Sequence, residues 1–457
     1  MNLPFHSYRT RLKKGAVSRL LNCYAVQSAP EGRAPTAIIG AAGISAFSTI
    51  SASPQEAAIA FNGALYCVAA NTFYAVNEDG IETSIGTIAG AGSVDIAKGV
   101  GQVAILRDEA LWVFDGTTLT QVTDADFTSR GASKMAVLDN YAGFIEPDSG
   151  RFFICDLADF TVYDPLDFAT AEGNPDNLVS IESNQRQFVL FGEDSIELWD
   201  NVGGTGFPFV RVSNGYVENG CIGKDATCSA DNTVFWLDQD RIFRKLEGIT
   251  PRRISNDGCE QQWQDYATVS DAKAFSYVFD GHTFVVVQFP TEEATWVYDI
   301  NTGEWHERAS YGYDDWRAAW VVKAYGRTFV GDTESGNIGE MDANTHSEWG
   351  GILSREATTG TIQNESRWLF HDRMELDLEV GQGIESGQGS DPEIMLDISN
   401  DGGRTFVAKS NRDLGTAGQF NKRVWWGPLG RSRDRVYRFR VTDPVPFSIQ
   451  AARLDVR

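Results

Sequence analysis

The stretch that decides the fold is residues 283–309, TFVVVQFPTEEATWVYDINTGEWHERA. It begins with a run rich in Val and Phe, and a second apolar run ends at Tyr298. The segment Asn301-Thr302-Gly303 consists of two small polar residues and a glycine, which is typical of a tight turn. A third run begins at Trp305. Because β-branched and aromatic residues suit the pleated, half-buried surface of a sheet, we expect three short antiparallel strands here.

The same alternation of short apolar runs and glycine turns recurs from about residue 43 to residue 341, in seven units of roughly 30–50 residues. Asn62-Gly63 and Asp115-Gly116 are typical hairpin turns. A lone four-stranded sheet cannot bury both faces, whereas blades packed around an axis can, so the repeat predicts a β-propeller. Seven blades are preferred, and six remain possible if the Asp-rich insertion 156–177 disrupts the register.

The two ends of the repeat complement each other. The seventh unit lacks a clear fourth strand, and the stretch 47–50 at the start is a spare one. We expect this spare strand to complete the last blade and close the ring.

From about residue 346 the pattern changes to strict alternation of apolar and polar residues, as in 375–380 and 394–398. In 436–441, Tyr437, Phe439 and Val441 share one face, and Arg438 and Arg440 lie on the other. The sequence therefore predicts an all-β chain in three parts. These are an N-terminal arm (1–36) that packs on the C-terminal domain, a β-propeller (37–345), and a β-sandwich-like, adaptor-docking domain (346–457).

The charge of the chain is unevenly distributed. Residues 1–33 carry six Lys or Arg against one Glu, and residues 400–457 carry twelve against five Asp. Since the whole chain has a net charge of −24, residues 34–399 hold about −36 and the two ends together about +12. The asymmetry suggests that both ends face one partner.

The six cysteines, at positions 23, 67, 155, 221, 228 and 259, form no Cys-x-x-Cys pair. We expect six free thiols in a reduced protein, although a Cys221–Cys228 disulfide remains possible. No signal peptide is recognisable, and no run of 18 apolar residues could span a membrane.

Enzyme motifs are absent from the sequence. The five His residues, 6, 282, 306, 346 and 371, show no metal-ligand spacing. Neither Gly-x-Ser-x-Gly nor Gly-x-x-x-x-Gly-Lys occurs. Most carboxylates stand in turns, where they cap backbone amides. We therefore expect no catalytic site, no metal and no cofactor.

Residues 399–406, SNDGGRTF, resemble the Asp-box hairpin of sialidase-type propellers. There the Asp holds the backbone amides of the turn, and the aromatic residue packs beneath. The corresponding residues here are Asp401, Gly403 and Phe406, and we expect a structural role for them.

Basic residues cluster towards the C terminus more densely than on an ordinary solvated face. The cluster could keep an edge strand soluble, bind nucleic acid, or dock on an acidic protein surface. Together with the basic N terminus, the candidates for docking an adaptor or another subunit are Lys13, Lys14, Arg19, Lys422, Arg423, Arg431, Arg433, Arg435, Arg438 and Arg440.

Several segments are similar to one family. The segments 422–426 (KRVWW), 429–431 (LGR) and 439–445 (FRVTDPV) resemble the C-terminal end of the packaged-DNA stabilisation proteins, the tail hub or nozzle proteins of short-tailed phages. The segments 21–24, 168–172 and 175–176 are also similar to family segments.

The resemblance implies a non-enzymatic structural protein of the virion tail, assembled in the host cytoplasm. It also implies a ring, hexameric in the family, below the head-to-tail adaptor. A tail needle or plug, and a tail fibre or spike, are further implied partners. Double-stranded DNA would pass through the lumen without specific binding. A glycan-binding or glycan-cleaving propeller is the alternative, and it would need several Arg at the propeller centre.

Overall fold

Seven four-stranded antiparallel sheets surround one axis in the computed structural model, which describes residues 6–9, 17–28, 34–171, 173–204 and 206–457. Blade 1 consists of Gln55–Phe61, Ala64–Ala69, Thr72–Val76 and Glu82–Thr87, blade 2 of Asp95–Lys98, Val103–Arg107, Ala110–Phe114 and Leu119–Gln121, and blade 3 of Lys134–Leu138, Tyr141–Ile145, Arg151–Ile154 and Phe168–Thr170. The first strands of successive blades pack side by side, and blade 7 returns to blade 1. The preferred prediction of seven blades is therefore confirmed.

The remaining blades follow the same order. Blade 4 consists of Leu178–Asn184, Gln187–Gly192, Ile196–Asn201 and Phe209–Val217, blade 5 of Thr227–Ala230, Thr233–Leu237, Phe243–Glu247 and Thr250–Arg253, blade 6 of Lys273–Phe279, His282–Phe289, Ala294–Asp299 and Glu304–Glu307, and blade 7 of Ala318–Ala324, Arg327–Asp332, Asn337–Asp342 and Gly43–Thr49. Two short helices, Ala125–Thr128 and Asp257–Asp265, lie in connections between blades.

The strands of blade 6 do not alternate between apolar and polar residues, because both faces of the blade are buried. Val285 and Val287 pack with the aromatic residues of blade 5, whereas Phe284 and Val286 pack with blade 7. Because successive side chains of a strand point to opposite faces, a blade with two neighbours must be apolar on both.

The ring closes through the strand Gly43–Thr49. It pairs antiparallel with Asn337–Asp342, so that Ile44 lies opposite Met341. The spare N-terminal strand therefore completes the last blade, as predicted from the sequence.

The insertion expected at 156–177 contains the outer strand of blade 3, Phe168–Thr170. Phe160 and Tyr163 of the insertion are buried with the blade 2 and blade 3 core. The insertion is thus anchored to the propeller both before and after its exposed turn at residues 164–167.

A β-sandwich joins the outer edge of blade 6. One sheet, here called the continuous sheet, extends from blade 6 through Val17–Leu21, Arg355–Thr358, Asp434–Val441, Glu393–Ser399 and Val407–Ala408, with Tyr8–Arg9, Ile362–Gln363 and Arg412–Asp413 at its edges. The second, here called the outer sheet, consists of Cys23–Gln27, Thr36–Gly40, Ser448–Val456, Leu369–Leu378 and Val424–Trp426, with Arg431–Ser432 at its edge. Tyr437 and Phe439 of the continuous sheet and Met374 and Trp426 of the outer sheet lie in the core between them.

The N-terminal region differs from the extended arm expected for residues 1–36. Residues 17–28 and 34–40 contribute strands to both sheets of the sandwich, and the expected boundary at 36/37 falls inside Thr36–Gly40. The first of these strands was missed because one of its two buried positions is Ser18, a polar residue, so that apolar periodicity is lost.

No helix among the described residues has the length and apolar character needed to cross a membrane.

All six cysteines are free and buried. Burial raises the pKa of the Cys155 and Cys221 thiols to about 12, although hydrogen bonds to these sulfurs oppose the rise. Because the thiolate is the reactive form, the native thiols should react slowly.

We predict that iodoacetamide without reductant labels few cysteines in the native protein and all six after denaturation. Intact-mass spectrometry before and after denaturation measures this. A chain that carries only four labels after denaturation without reductant, and six with it, would contradict the prediction.

Gly339 lies in the strand Asn337–Asp342, opposite the closing strand Gly43–Thr49. A Cβ at this position would overlap the Ile44 side chain and crowd Trp349. We expect Gly339→Val to lower the free energy of unfolding by about 2 kcal/mol, the usual cost of overpacking. Denaturant unfolding followed by Trp fluorescence measures it. Gly360→Ala is the control because nothing lies within 4 Å of its Cβ position; equal midpoints for the two variants would contradict the interpretation.

Candidate functional site

A cavity of about 700 Å³, open to solvent, lies among the first strands of the blades around the propeller axis. Its lining includes the charged side chains of Glu56, Asp95, Arg107, Lys134 and Asp225. Within the described residues, no group of three or more His, Cys, Asp or Glu side chains is placed to hold a metal ion.

Lys134 of blade 3 links several blades at this cavity. Its Nζ donates to Asp95 of blade 2 and to Asp225, which precedes blade 5, at 2.7 Å each. Burial alone would lower the pKa of Lys134, but the two carboxylates raise it, so the amine stays charged. Beside it, Glu182 of blade 4 accepts hydrogen bonds from Thr227 and Ser229. These contacts hold blades 2, 3, 4 and 5 together, and the network has the character of a structural ion-pair cluster.

At the junction between propeller and sandwich, the buried Glu307 carboxylate ends blade 6. It accepts hydrogen bonds from Arg9 at 2.7 and 2.9 Å and from Arg19 Nε at 2.9 Å. Burial alone would raise the pKa of Glu307, but Arg19 and Arg9 lower it. Glu307 is therefore an ionised group that fixes the N-terminal strands to the propeller.

Asn22 makes a second link at the same junction. Its Nδ2 donates to the carbonyl oxygens of Ala309 at 2.7 Å and Ser354 at 2.9 Å, and its Oδ1 accepts from Ala309 N–H. One side chain thus bonds to the end of blade 6 and to the start of the sandwich. Neither Asn22 nor Glu307 was identified from the sequence, because their partners are distant in the chain.

The predicted docking residues do not form one surface. Lys13 and Lys14 lie outside the described residues, and Arg19 is bound to Glu307 within the junction. Arg438 and Arg440 share the buried Asp397 carboxylate at 2.7 and 2.9 Å. They are half-buried, and much of their charge is balanced within the chain.

Arg435 is not a docking residue. It is only 1% exposed. Its Nε donates to Asn400 Oδ1 at 2.7 Å, and its Nη1 donates to the Leu429 carbonyl at 3.1 Å. The alternation of exposed and buried positions did not predict the burial of Arg435, because Arg435 and Val436 are both buried where the strand begins.

The other predicted basic residues border the outer sheet. Lys422 pairs with Asp413, and Arg423 pairs with Glu375 at 2.7 Å. Arg431 and Arg433 both lie over the ring of Trp368, with guanidinium carbons 4.6 and 4.8 Å from its centroid. The structure therefore brings Arg431 and Arg433 together on an exposed aromatic residue.

Three exposed aromatic residues near these arginines were missed by sequence reasoning: Trp368, Phe370 and Trp425. A signal was present in the alternation of the strands. Trp368 and Phe370 lie on either side of the buried Leu369, and Trp425 precedes the buried Trp426.

The Asp-box-like turn has the geometry of its structural counterpart. The Asp401 carboxylate accepts from the backbone N–H groups of Arg404 and Thr405 at 2.9 and 3.0 Å. Hydrogen bonds from the Ser399 and Thr405 hydroxyls also lower the pKa of Asp401. Gly403 has φ +80°, and Phe406 lies beneath the Arg438 guanidinium, 4.0 Å from its carbon.

The charged Glu307 carboxylate stabilises the junction between propeller and sandwich. We expect Glu307→Gln to lower the free energy of unfolding at pH 7 by about 1–3 kcal/mol, since charged hydrogen bonds are lost and two arginines remain. Because folding depresses the Glu307 pKa, its contribution is present above the unfolded value of roughly 4.3 and is lost as pH falls through the folded value. The difference between the two proteins should therefore shrink below about pH 4.

Urea unfolding at several pH values measures this difference. The control is Glu304→Gln on the same strand, because that carboxylate is more exposed and contacts only His6 among the ion pairs described. A difference that stays constant from pH 7 to pH 3 would contradict the assignment.

Two family models cover most of the chain. A model described as bacteriophage P22 Gp10, β-propeller, matches residues 17–346, and one described as bacteriophage P22 Gp10, β-sandwich, matches residues 354–457. The tail hub protein gp10 of Salmonella phage P22 is 23% identical over 413 residues, which covers 82% of this chain and 82% of that protein.

Solved structures are more distant. BamB from Moraxella catarrhalis is 11% identical and covers 71% of this chain and 97% of that one, with a TM-score of 0.40. PorZ of Porphyromonas gingivalis is also 11% identical and covers 71% of this chain and 44% of that one, again with a TM-score of 0.40. These scores carry no argument about function. From the two domain matches, the chain belongs to the P22 Gp10 family, and it is a non-enzymatic structural protein of a phage tail hub.

Proposed function

We propose that this tail hub protein forms a hexameric ring below the head-to-tail adaptor, and that packaged DNA is retained above its lumen and leaves through it. The observation that carries the proposal is the match of both domains to the family of a tail hub protein. A tail needle or plug would close the lumen, and fibres or spikes would attach at the side.

The dimensions of one propeller support a channel between copies. The axial cavity of one propeller has a volume of only about 700 Å³. A DNA duplex, whose major groove alone is about 12 Å wide, does not fit in it. The Lys134 ion pairs also lie in the lining of this cavity. A passage for DNA therefore requires several copies arranged around a common lumen.

Charge supports passage without binding. Residues 34–399 carry a net charge of about −36, whereas DNA carries one negative charge per roughly 1.7 Å of its axis. A basic lumen would bind phosphates through counterion release and slow the duplex. An acidic lumen repels the duplex and keeps it centred, and retention then depends on the plug.

The sandwich supplies the expected contact with the adaptor. Arg19, Arg438 and Arg440 are half-buried on the continuous sheet, where their carboxylate partners leave them partly exposed. An acidic surface of the adaptor would be complementary to this side of the sandwich.

We predict that the assembled ring contains six copies, and that its bore is lined by more Asp and Glu than Lys and Arg. Mass photometry of the purified protein, with and without the adaptor, measures the copy number, and a structure of the ring gives the count of charged side chains. A protein that stays monomeric in both samples would contradict the ring. A bore lined by more Lys and Arg than Asp and Glu would contradict the passage of DNA without binding, but it would not contradict the ring.

A further inference from the structure

The insertion of blade 3 exposes a rigid turn at its tip. Leu166 is 76% exposed, the most exposed large hydrophobic side chain among the described residues. Asp164 Oδ1 accepts from Leu166 N–H at 2.8 Å, and Asp167 N–H donates to the Asp164 carbonyl at 3.0 Å. Arg130 Nη2 donates to the Pro165 carbonyl at 2.6 Å. The turn is therefore held in shape before any partner binds.

Two further exposed apolar side chains lie on or beside the insertion. Leu157 and Val100 are exposed, and they lie close together because Asn140 bonds both to Val100 N–H and to Ala158 N–H. The insertion also carries Asp156, Asp159, Asp164 and Asp167. We call the surface formed by Val100, Leu157, Leu166 and these four acids the acidic rim. An exposed apolar patch bordered by charge is typical of a protein–protein contact.

The outer sheet of the sandwich has a surface of the opposite character. Trp368 is 47% exposed beneath Arg431 and Arg433. Arg373 lies over the exposed Trp425, with 4.9 Å from its guanidinium carbon to the ring centroid. Phe370 and Arg457 extend the same surface. We call it the arginine–aromatic face; Trp and Arg are the residues most enriched at binding hot spots.

The fold places the two surfaces on opposite sides of the propeller. The sandwich continues from the outer strand of blade 6, and the acidic rim includes the connection to the outer strand of blade 3. In a closed ring of seven blades, blade 3 is three blades from blade 6, the largest separation possible. One copy cannot bring its two surfaces together, but two copies can.

We propose that the acidic rim of one copy docks on the arginine–aromatic face of the next, as the head-to-tail contact that builds the ring. Arg373 and Arg457 pair with Glu375 and Asp372 on the same sheet. The positive charge that complements the acidic rim is therefore that of Arg431 and Arg433, and each surface adds exposed apolar side chains to the contact. A heterologous contact between opposite sides of a subunit closes into a ring when its rotation allows. The inference rests on the proposed ring, and it assigns the surfaces that form it.

Substitutions that change the charge of either surface test the contact. We expect Leu166→Arg, and separately the pair Arg431→Glu and Arg433→Glu, to raise the concentration needed for half-assembly by about tenfold or more. Combining all three substitutions should restore assembly, because the new arginine then faces glutamates. Ile81→Arg, on an exposed residue of blade 1, is the matched control and should assemble as the wild type does. Mass photometry over a concentration series measures assembly, and circular dichroism checks folding.

Mixing gives a second readout. Leu166→Arg retains an intact arginine–aromatic face, and the Arg431→Glu, Arg433→Glu variant retains an intact acidic rim. An equimolar mixture should therefore assemble although neither variant does so alone, because the intact rim docks on the intact face and the new arginine faces the new glutamates. Wild-type assembly by each variant would overturn the contact and leave the ring proposal standing. Normal rings that no longer bind adaptor-bearing heads would assign the face to the adaptor and also overturn it.

If the wild-type protein forms no ring, the proposed function fails, and cross-linking decides the contact separately. Since all six native cysteines are buried, introduced cysteines would be the reactive ones. Leu166→Cys mixed with Arg433→Cys should give a disulfide-linked dimer under mild oxidation. Absence of that dimer would overturn the inference.

Discussion

A propeller blade is apolar on both faces, so it is stable only between two neighbours, and the seven blades must close on themselves. Here the closing strand Gly43–Thr49 comes from the opposite end of the propeller sequence and pairs with Asn337–Asp342. The packing of blade 7 on blade 1 depends on this closure, because an open ring would expose one face of each of these two blades. The chain therefore completes its propeller only when its earliest and latest blade strands meet.

The segment before the closing strand has a second task. Residues 17–28 and 34–40 add strands to both sheets of the sandwich before the chain enters blade 7. Asn22 and Glu307 then fix this segment to the end of blade 6. The sandwich is thus joined to the propeller by a continuous sheet, a buried amide and a buried ion pair.

Charge divides into two classes in this structure. Lys134, Arg19, Arg438 and Arg440 meet carboxylates of their own chain, and these ion pairs connect blades and strands. Arg431 and Arg433 instead lie on the exposed ring of Trp368. The net charge of a region therefore indicates a kind of partner, but only the fold shows how much of that charge is already paired within the chain.

The sequence alone determined the all-β class, the repeated four-strand unit, the strand that closes the ring and the structural turn at Asp401. Each of these depends on local turn chemistry or on a period of two, which are visible in one dimension. The contribution of residues 17–40 to the sandwich, the burial of Arg435 and the exposure of Trp368 were decided only by the tertiary structure. The same is true of Glu307, whose partners Arg9 and Arg19 are nearly 300 residues away. Burial and ion pairing depend on what packs against a residue, and no local pattern records a neighbour so distant in the chain.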